Sequence, residues 1–284
     1  VTDALLERSA ALLLYLGATL AIGHGMLGAL EGWSRSPSPE PVPARGRWWR
    51  HAGAGALLVA PPLLLLAQLQ ALEMAPAEAM ALVGETAWGD GWATLAAASA
   101  LAAAGVLVPF PRWRALGAPC TALALAVALG GIGHAAADDA WPRMARLLDA
   151  THVVAMGGWL GGLALTWGDL ARDATAEEAL ARWQRFSALA LVLAPLTIVS
   201  GGGSTLLRLA GAPLSAIAAS EYGWLLALKV ALAAVTLGVG WRNHRQVRRG
   251  ARPVAGAVRV ELAVTLAVLA VTALLSRSEP PVAP

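Results

Sequence analysis

Charge is scarce in this chain. Asp, Glu, Lys and Arg make up 14% of its 284 residues, against about 25% in an average soluble domain. Lysine occurs once, at Lys229, while 57% of the residues are hydrophobic. Apolar runs of about 20 residues recur along the whole length, which excludes an ordinary soluble domain and predicts an all-α polytopic integral membrane protein. Cysteine also occurs once, as Cys120 inside an apolar run, so no internal disulfide can form and the redox compartment is not encoded. No nucleotide-binding loop, nucleophile–base pairing or HExxH motif is present. Those absences argue against an ATP-driven pump and a membrane protease, and predict that the chain is not an enzyme. The basic residues lie in short loops between apolar runs, where they report topology rather than a nucleic-acid surface. Membrane lipid, and no nucleic acid, is the expected surrounding.

Eight spans are predicted, at 4–30, 51–72, 91–109, 115–137, 144–168, 184–208, 222–241 and 255–276. The first run lacks a basic start and a small-residue cleavage site, so it is expected to be a retained helix rather than a cleaved signal. Residues 31–50, rich in Pro, Ser and Arg, read as a loop. The acidic stretch 73–90 is too polar to span and predicts a short surface helix. Loops after the odd-numbered spans hold fourteen arginines and the opposite side holds five. The positive-inside rule then puts both termini in the periplasm or its equivalent. Tryptophans near span ends, among them Trp48, Trp88, Trp141 and Trp241, fit interfacial anchoring.

At a gapless offset of 134, Trp49 aligns with Trp183, Ala60-Pro61 with Ala194-Pro195, and Gly89 with Gly223. This predicts a parallel four-plus-four internal repeat with halves 1–137 and 138–284, related by an axis along the membrane normal.

The residues that carry chemistry gather in 130–167, where two apolar segments meet across a short polar loop. His134 lies near the end of one and His152 inside the next. Asp149, His152 and Met156 are spaced to share one helical face, and Gly157, Gly158, Gly161 and Gly162 allow close helix approach. Polar groups at this depth are costly and mark function; the alternative is a helix-to-helix hydrogen bond. Imidazole with thioether suits copper, and thioether selects Cu(I) over hard cations. His134, His152 and Met156 are therefore candidate ligands, with His24 and Met26 as a second pair and Asp149 expected to hold the His152 tautomer. Paired histidines on neighbouring spans also suit haem iron, so haem is the alternative cofactor.

Lys229, about seven residues into its span, needs a partner or a wet cavity, and Glu221 or Asp149 are at comparable depth. Glu261 is expected to pair with the basic loop beside Arg259, and His51 and His244 are expected to be solvated. The run Ser200-Gly-Gly-Gly-Ser204-Thr205 predicts a broken or loosened helix, since each glycine costs about 1 kcal/mol relative to Ala.

Several of these motifs, taken in order, resemble the CopD copper-resistance family. They are Gly133-His134-Ala135, then His152 followed by Trp159-Leu160-Gly161-Gly162-Leu163. After them come Arg185-Phe186-Ser187, Tyr222-Gly223 with Lys229, Asn243, and Glu261 leading to Pro280-Pro281. The resemblance implies an eight-span protein of the bacterial inner membrane that handles copper, as Cu(I) or Cu(II), beside a periplasmic CopC-like copper-binding protein. It also implies transport toward the cytoplasm. No Met- or His-rich tail is present, which argues against high-capacity scavenging. Tyr222, Glu221, Lys229 and Trp159 join Asp149 as candidate residues of the second shell or pathway.

Overall fold

The structure, a computed structural model, describes residues 2–33, 47–108, 116–131, 141–170 and 175–281. All regular elements among them are helices: α1 (Thr2–Trp33), α2 (Arg47–Ala71), α3 (Pro76–Gly84), α4 (Ala87–Leu107), α5 (Ala118–Leu129), α6 (Pro142–Leu170), α7 (Ala176–Arg208), α8 (Leu214–Ala219), α9 (Glu221–Arg248) and α10 (Ala255–Leu275). Six of them, α1, α2, α4, α7, α9 and α10, are long and apolar enough to cross a membrane. The chain is a polytopic all-α membrane protein, and its lipid-facing surface is apolar, with Leu206, Val199, Trp224 and Val230 all exposed. The predicted fourth and fifth spans coincide with α5, 12 residues long, and α6, 29 residues long and more polar. The surface helix expected within 73–90 is α3.

Helix starts follow from capping chemistry, because the first N–H groups of a helix have no partner inside it. Thr175 and Glu178 form a reciprocal capping box at the start of α7, with bonds of 3.3 and 3.0 Å. Two matched caps open α4 and α9. The Thr86 hydroxyl accepts the Gly89 N–H at 3.1 Å and donates to the Val83 carbonyl at 2.8 Å. The Ser220 hydroxyl accepts the Gly223 N–H at 3.0 Å and donates to the Ile217 carbonyl at 2.8 Å. These are positions that the 134-residue offset equates.

Helix α1 lies at the centre, against α2, α4, α5, α6 and α10. Its approach to α6 is as close as backbones allow. A Cβ on Gly161 would collide with the Thr19 carbonyl, and one on Gly23 would collide with Gly161 and Gly162. Here the α6 glycines correct the sequence-based expectation. Beside the 130–167 loop they would pack toward the segment before it, but Gly157 and Gly161 face Ile22, Thr19 and Gly23 of α1, and Gly162 faces Phe186 of α7. Small residues serve whichever neighbour is closest, and that neighbour is α1.

Helix α7 runs unbroken through Gly201, Gly202 and Gly203 to Arg208, so the predicted break is also corrected. Gly201 and Gly203 face bulky side chains of α6, His152 and Leu148, and that packing holds the helix together where propensity alone would loosen it.

The helix pairs that the 134-residue offset equates differ in one contact. Trp92 of α4 donates its indole N–H to the Pro61 carbonyl of α2 at 2.8 Å, tying those helices together. The corresponding helices α7 and α9 stand apart and leave a cavity.

Candidate functional site

His152 sits on α6 and faces α7. Its Nδ1 lies 3.1 Å from the Thr197 carbonyl oxygen and 3.4 Å from the Ser200 hydroxyl. A carbonyl can only accept, so Nδ1 carries the proton and donates, and the Nε2 lone pair is left free. That Nε2 is shut off from solvent and has no hydrogen-bond partner among the described residues. The ring has room only because residue 201 is glycine: a Cβ there would lie 2.9 Å from Cε1 and 3.0 Å from Nδ1. Sequence reading missed Thr197, Ser200 and Gly201 as the residues that orient this imidazole. The small-residue run opposite a buried histidine was the available signal, and it was read as a helix break.

Asp149, expected to fix the His152 tautomer, instead pairs with Arg208 of α7 at 3.3 Å. The Thr197 carbonyl does that work because it lies across the α6–α7 seam, whereas Asp149 reaches the end of α7. Among the described residues Lys229 makes no ion pair. Glu221 is exposed at the start of α9 and Tyr222 beside it is buried.

The thioethers lie further in. Met156, one turn beyond His152, and Met26 of α1 both pack against the apolar cluster of Trp159, Leu160 and Leu193. The Met26 sulfur sits against the Cα of Gly158, where a Cβ would displace it. His24 is buried on α1. His134 lies outside the described residues. Among the described residues no three His, Cys, Asp or Glu side chains converge as a metal cage. Along α6 the ligand-type groups come in the order His152, then Met156, with Met26 of α1 packed at Gly158.

A second polar group lies toward the opposite membrane face. Asn243 donates its Nδ2–H to Glu261 Oε2 at 2.7 Å. Both are deeply buried, at 5% and 2% exposure, and Asn243 Oδ1 has no partner among the described residues. Glu261 thus does not pair with the basic loop: burial turns it inward, against Asn243 and Gly240. His244 is not simply solvated either. Its Nδ1 is 2.6 Å from the Ser187 hydroxyl and its ring stacks on Trp241 at 5.5 Å. His51 is exposed, as expected. Trp159 is buried and lines the cavity of about 380 Å³ between α7 and α9 that these inner groups also border.

Comparison with known proteins gives one match. Residues 180–275 fit the family described as Copper resistance protein D, CopD. No curated protein and no solved structure matches the chain. The matched segment holds α9 and α10 whole and most of α7, and with them Thr197, Ser200 and Gly201 around His152 and the Asn243–Glu261 pair.

Proposed function

We propose, from the premise that residues 180–275 are a CopD-family segment, that this membrane protein binds copper as its cargo on the α6–α7 seam and moves it across the bacterial inner membrane. The observation that carries the reading is the His152 imidazole, with Nδ1 given to a backbone carbonyl and Nε2 buried without a partner among the described residues. Leaving such an atom unmet costs about 1–3 kcal/mol. A histidine held through its other ring nitrogen is arranged as metal-binding histidines are. The thioethers of Met156 and Met26 lie one to two turns deeper, and a set of soft ligands favours Cu(I) over Ca²⁺ or Mg²⁺.

In this reading His152 is the outer docking point, and the arginine distribution sets its side as periplasmic. A periplasmic CopC-like protein is the copper donor that the resemblance implies, and uptake toward the cytoplasm is the proposed direction. The part proposed for His134, as a second imidazole, rests on the sequence alone.

Copper flux into sealed right-side-out and inside-out vesicles tests the proposal. Wild-type protein should move copper preferentially from the periplasmic face, and His152→Ala should abolish that flux. Equal flux in the variant, or none with wild type, would sink it. A Soret band in the purified protein would instead favour haem.

A further inference from the structure

The inner polar group has no part in binding copper at His152, yet it holds an ionisable side chain at membrane depth. Among the described residues that line the cavity between α7 and α9, Glu261 and His244 are the two that can ionise. Glu261 stands in the first third of α10 and Asn243 in the last third of α9. Pro253, in the turn that joins those helices, lines the same cavity. This end of it therefore reaches the surface where Arg242, Arg245 and Arg248 mark the cytoplasmic side.

A carboxylate in a membrane is costly without a cation beside it. Glu261 is 2% exposed, and among the described residues no lysine, arginine or histidine lies within ion-pair distance of it. The helices packed against α10 are α9, α1 and α6. From α9, Asn243 and Gly240 face Glu261, and a Cβ at Gly240 would lie 3.0 Å from Oε1 and 3.9 Å from the Trp159 ring of α6. On α6, Asp149 pairs with Arg208 of α7; on α1, Glu7 pairs with Arg277 beyond the far end of α10, and His24 is buried. Arg259, on α10 itself, is exposed.

The partner of Glu261 is thus an amide. Asn243 Nδ2 donates to Oε2 at 2.7 Å, and Oδ1 is buried without a partner among the described residues. An arginine in that place would fix the carboxyl in its charged form, whereas an amide serves both forms. Its N–H donates to a carboxylate, and after the amide turns over its oxygen accepts the O–H of a carboxylic acid. The unmatched Oδ1 is the acceptor that such a turn brings into use.

From this we infer that Glu261 is a proton-binding site served from the cytoplasmic side, and that its proton is the coupling ion for copper movement. The step is a proton transfer alone. Water at the inner end gives H⁺ to a carboxylate oxygen, the carboxyl becomes neutral, and the reverse transfer restores its charge. His244 is half-buried, borders the same cavity and has Nδ1 2.6 Å from the Ser187 hydroxyl; an imidazole there is a ready proton relay. The coupling rests on the copper reading, and the proton site does not.

The test begins with copper-free protein. Infrared difference spectra of oriented proteoliposomes, recorded as pH is stepped on one side, follow the carbonyl stretch of a protonated carboxyl. Wild type should lose that band when pH rises on the cytoplasmic side and regain it when pH falls, with no response to a step on the outer side. The band should be missing in Glu261→Gln and shifted in Asn243→Leu. A wild-type band that no pH removes, no such band at any pH, or one that answers only to the outer side would overturn the proton site, and none of these depends on how a variant folds. Copper flux into vesicles under a pH gradient then tests the coupling. Wild-type flux should change with the gradient and Glu261→Gln flux should not; wild-type flux indifferent to the gradient would overturn the coupling. No wild-type flux at all would overturn the copper reading and the coupling with it, while the infrared result still decides the proton site.

Discussion

Consecutive glycines on α7 provide a test of His152 with its own control. A Cβ on Gly202 would meet nothing within 4 Å, whereas one on Gly201 would lie 2.9–3.0 Å from the His152 ring. Either alanine gains about 1 kcal/mol of helix propensity. In Gly201→Ala the ring must also move, which costs about 1–3 kcal/mol of overpacking and the Thr197 hydrogen bond, about 0.5–1.5 kcal/mol. Gly202→Ala should therefore be neutral or stabilising, and Gly201→Ala less stable than it by about 1.5–4.5 kcal/mol. The ring that moves is the proposed ligand, so copper affinity should fall roughly 10–100-fold in Gly201→Ala alone, the range seen when a ligand's supporting partner is lost. Thermal unfolding in detergent reads the first quantity and competitive titration with a Cu(I) chelator reads the second. Identical affinity in the two variants would refute the assignment of His152, because no other ring is displaced.

Asp149→Asn should weaken the partly buried α6–α7 tie to Arg208 by about 1 kcal/mol, measured as a double-mutant coupling with Arg208→Met, while copper stoichiometry stays unchanged. Loss of stoichiometry would return Asp149 to the site. Trp92→Phe should cost about 0.5–1.5 kcal/mol through the Pro61 carbonyl, visible as a lower Tm; an unchanged Tm would contradict that tie. Asn243→Leu leaves the buried Glu261 carboxyl without its donor and should destabilise by about 1–3 kcal/mol, with Asn243→Leu/Glu261→Leu recovering most of it. A double variant no better than the single would show that the pair is not what matters there.

The all-helical membrane fold was legible because it depends on composition and run length, which are local properties. The surface helix before Ala87 was legible for the same reason. Partners of polar groups were not. Asp149 and His152 share a helical face at three-residue spacing, yet one binds Arg208 and the other Thr197, because α7 supplies both partners from positions no spacing rule selects. The glycines were recognised as a close-packing surface, but helical periodicity does not say whether α5 or α1 meets it. Glu261 beside Arg259 illustrates the same limit: adjacency in sequence suggested a surface pair, and adjacency in space, with Asn243 and Gly240, made it a buried one. His152 itself could be singled out because an ionisable group at membrane depth is costly wherever its neighbours lie.

X-ray absorption at the copper edge of the loaded protein, recorded for wild type and His152→Ala, addresses the proposed site without reference to flux. The set of His152, Met156 and Met26 predicts a low-coordinate Cu(I) spectrum with imidazole and at least one sulfur scatterer, and a smaller imidazole signal in His152→Ala. A spectrum of oxygen ligands only, or an imidazole signal undiminished by the substitution, would contradict it.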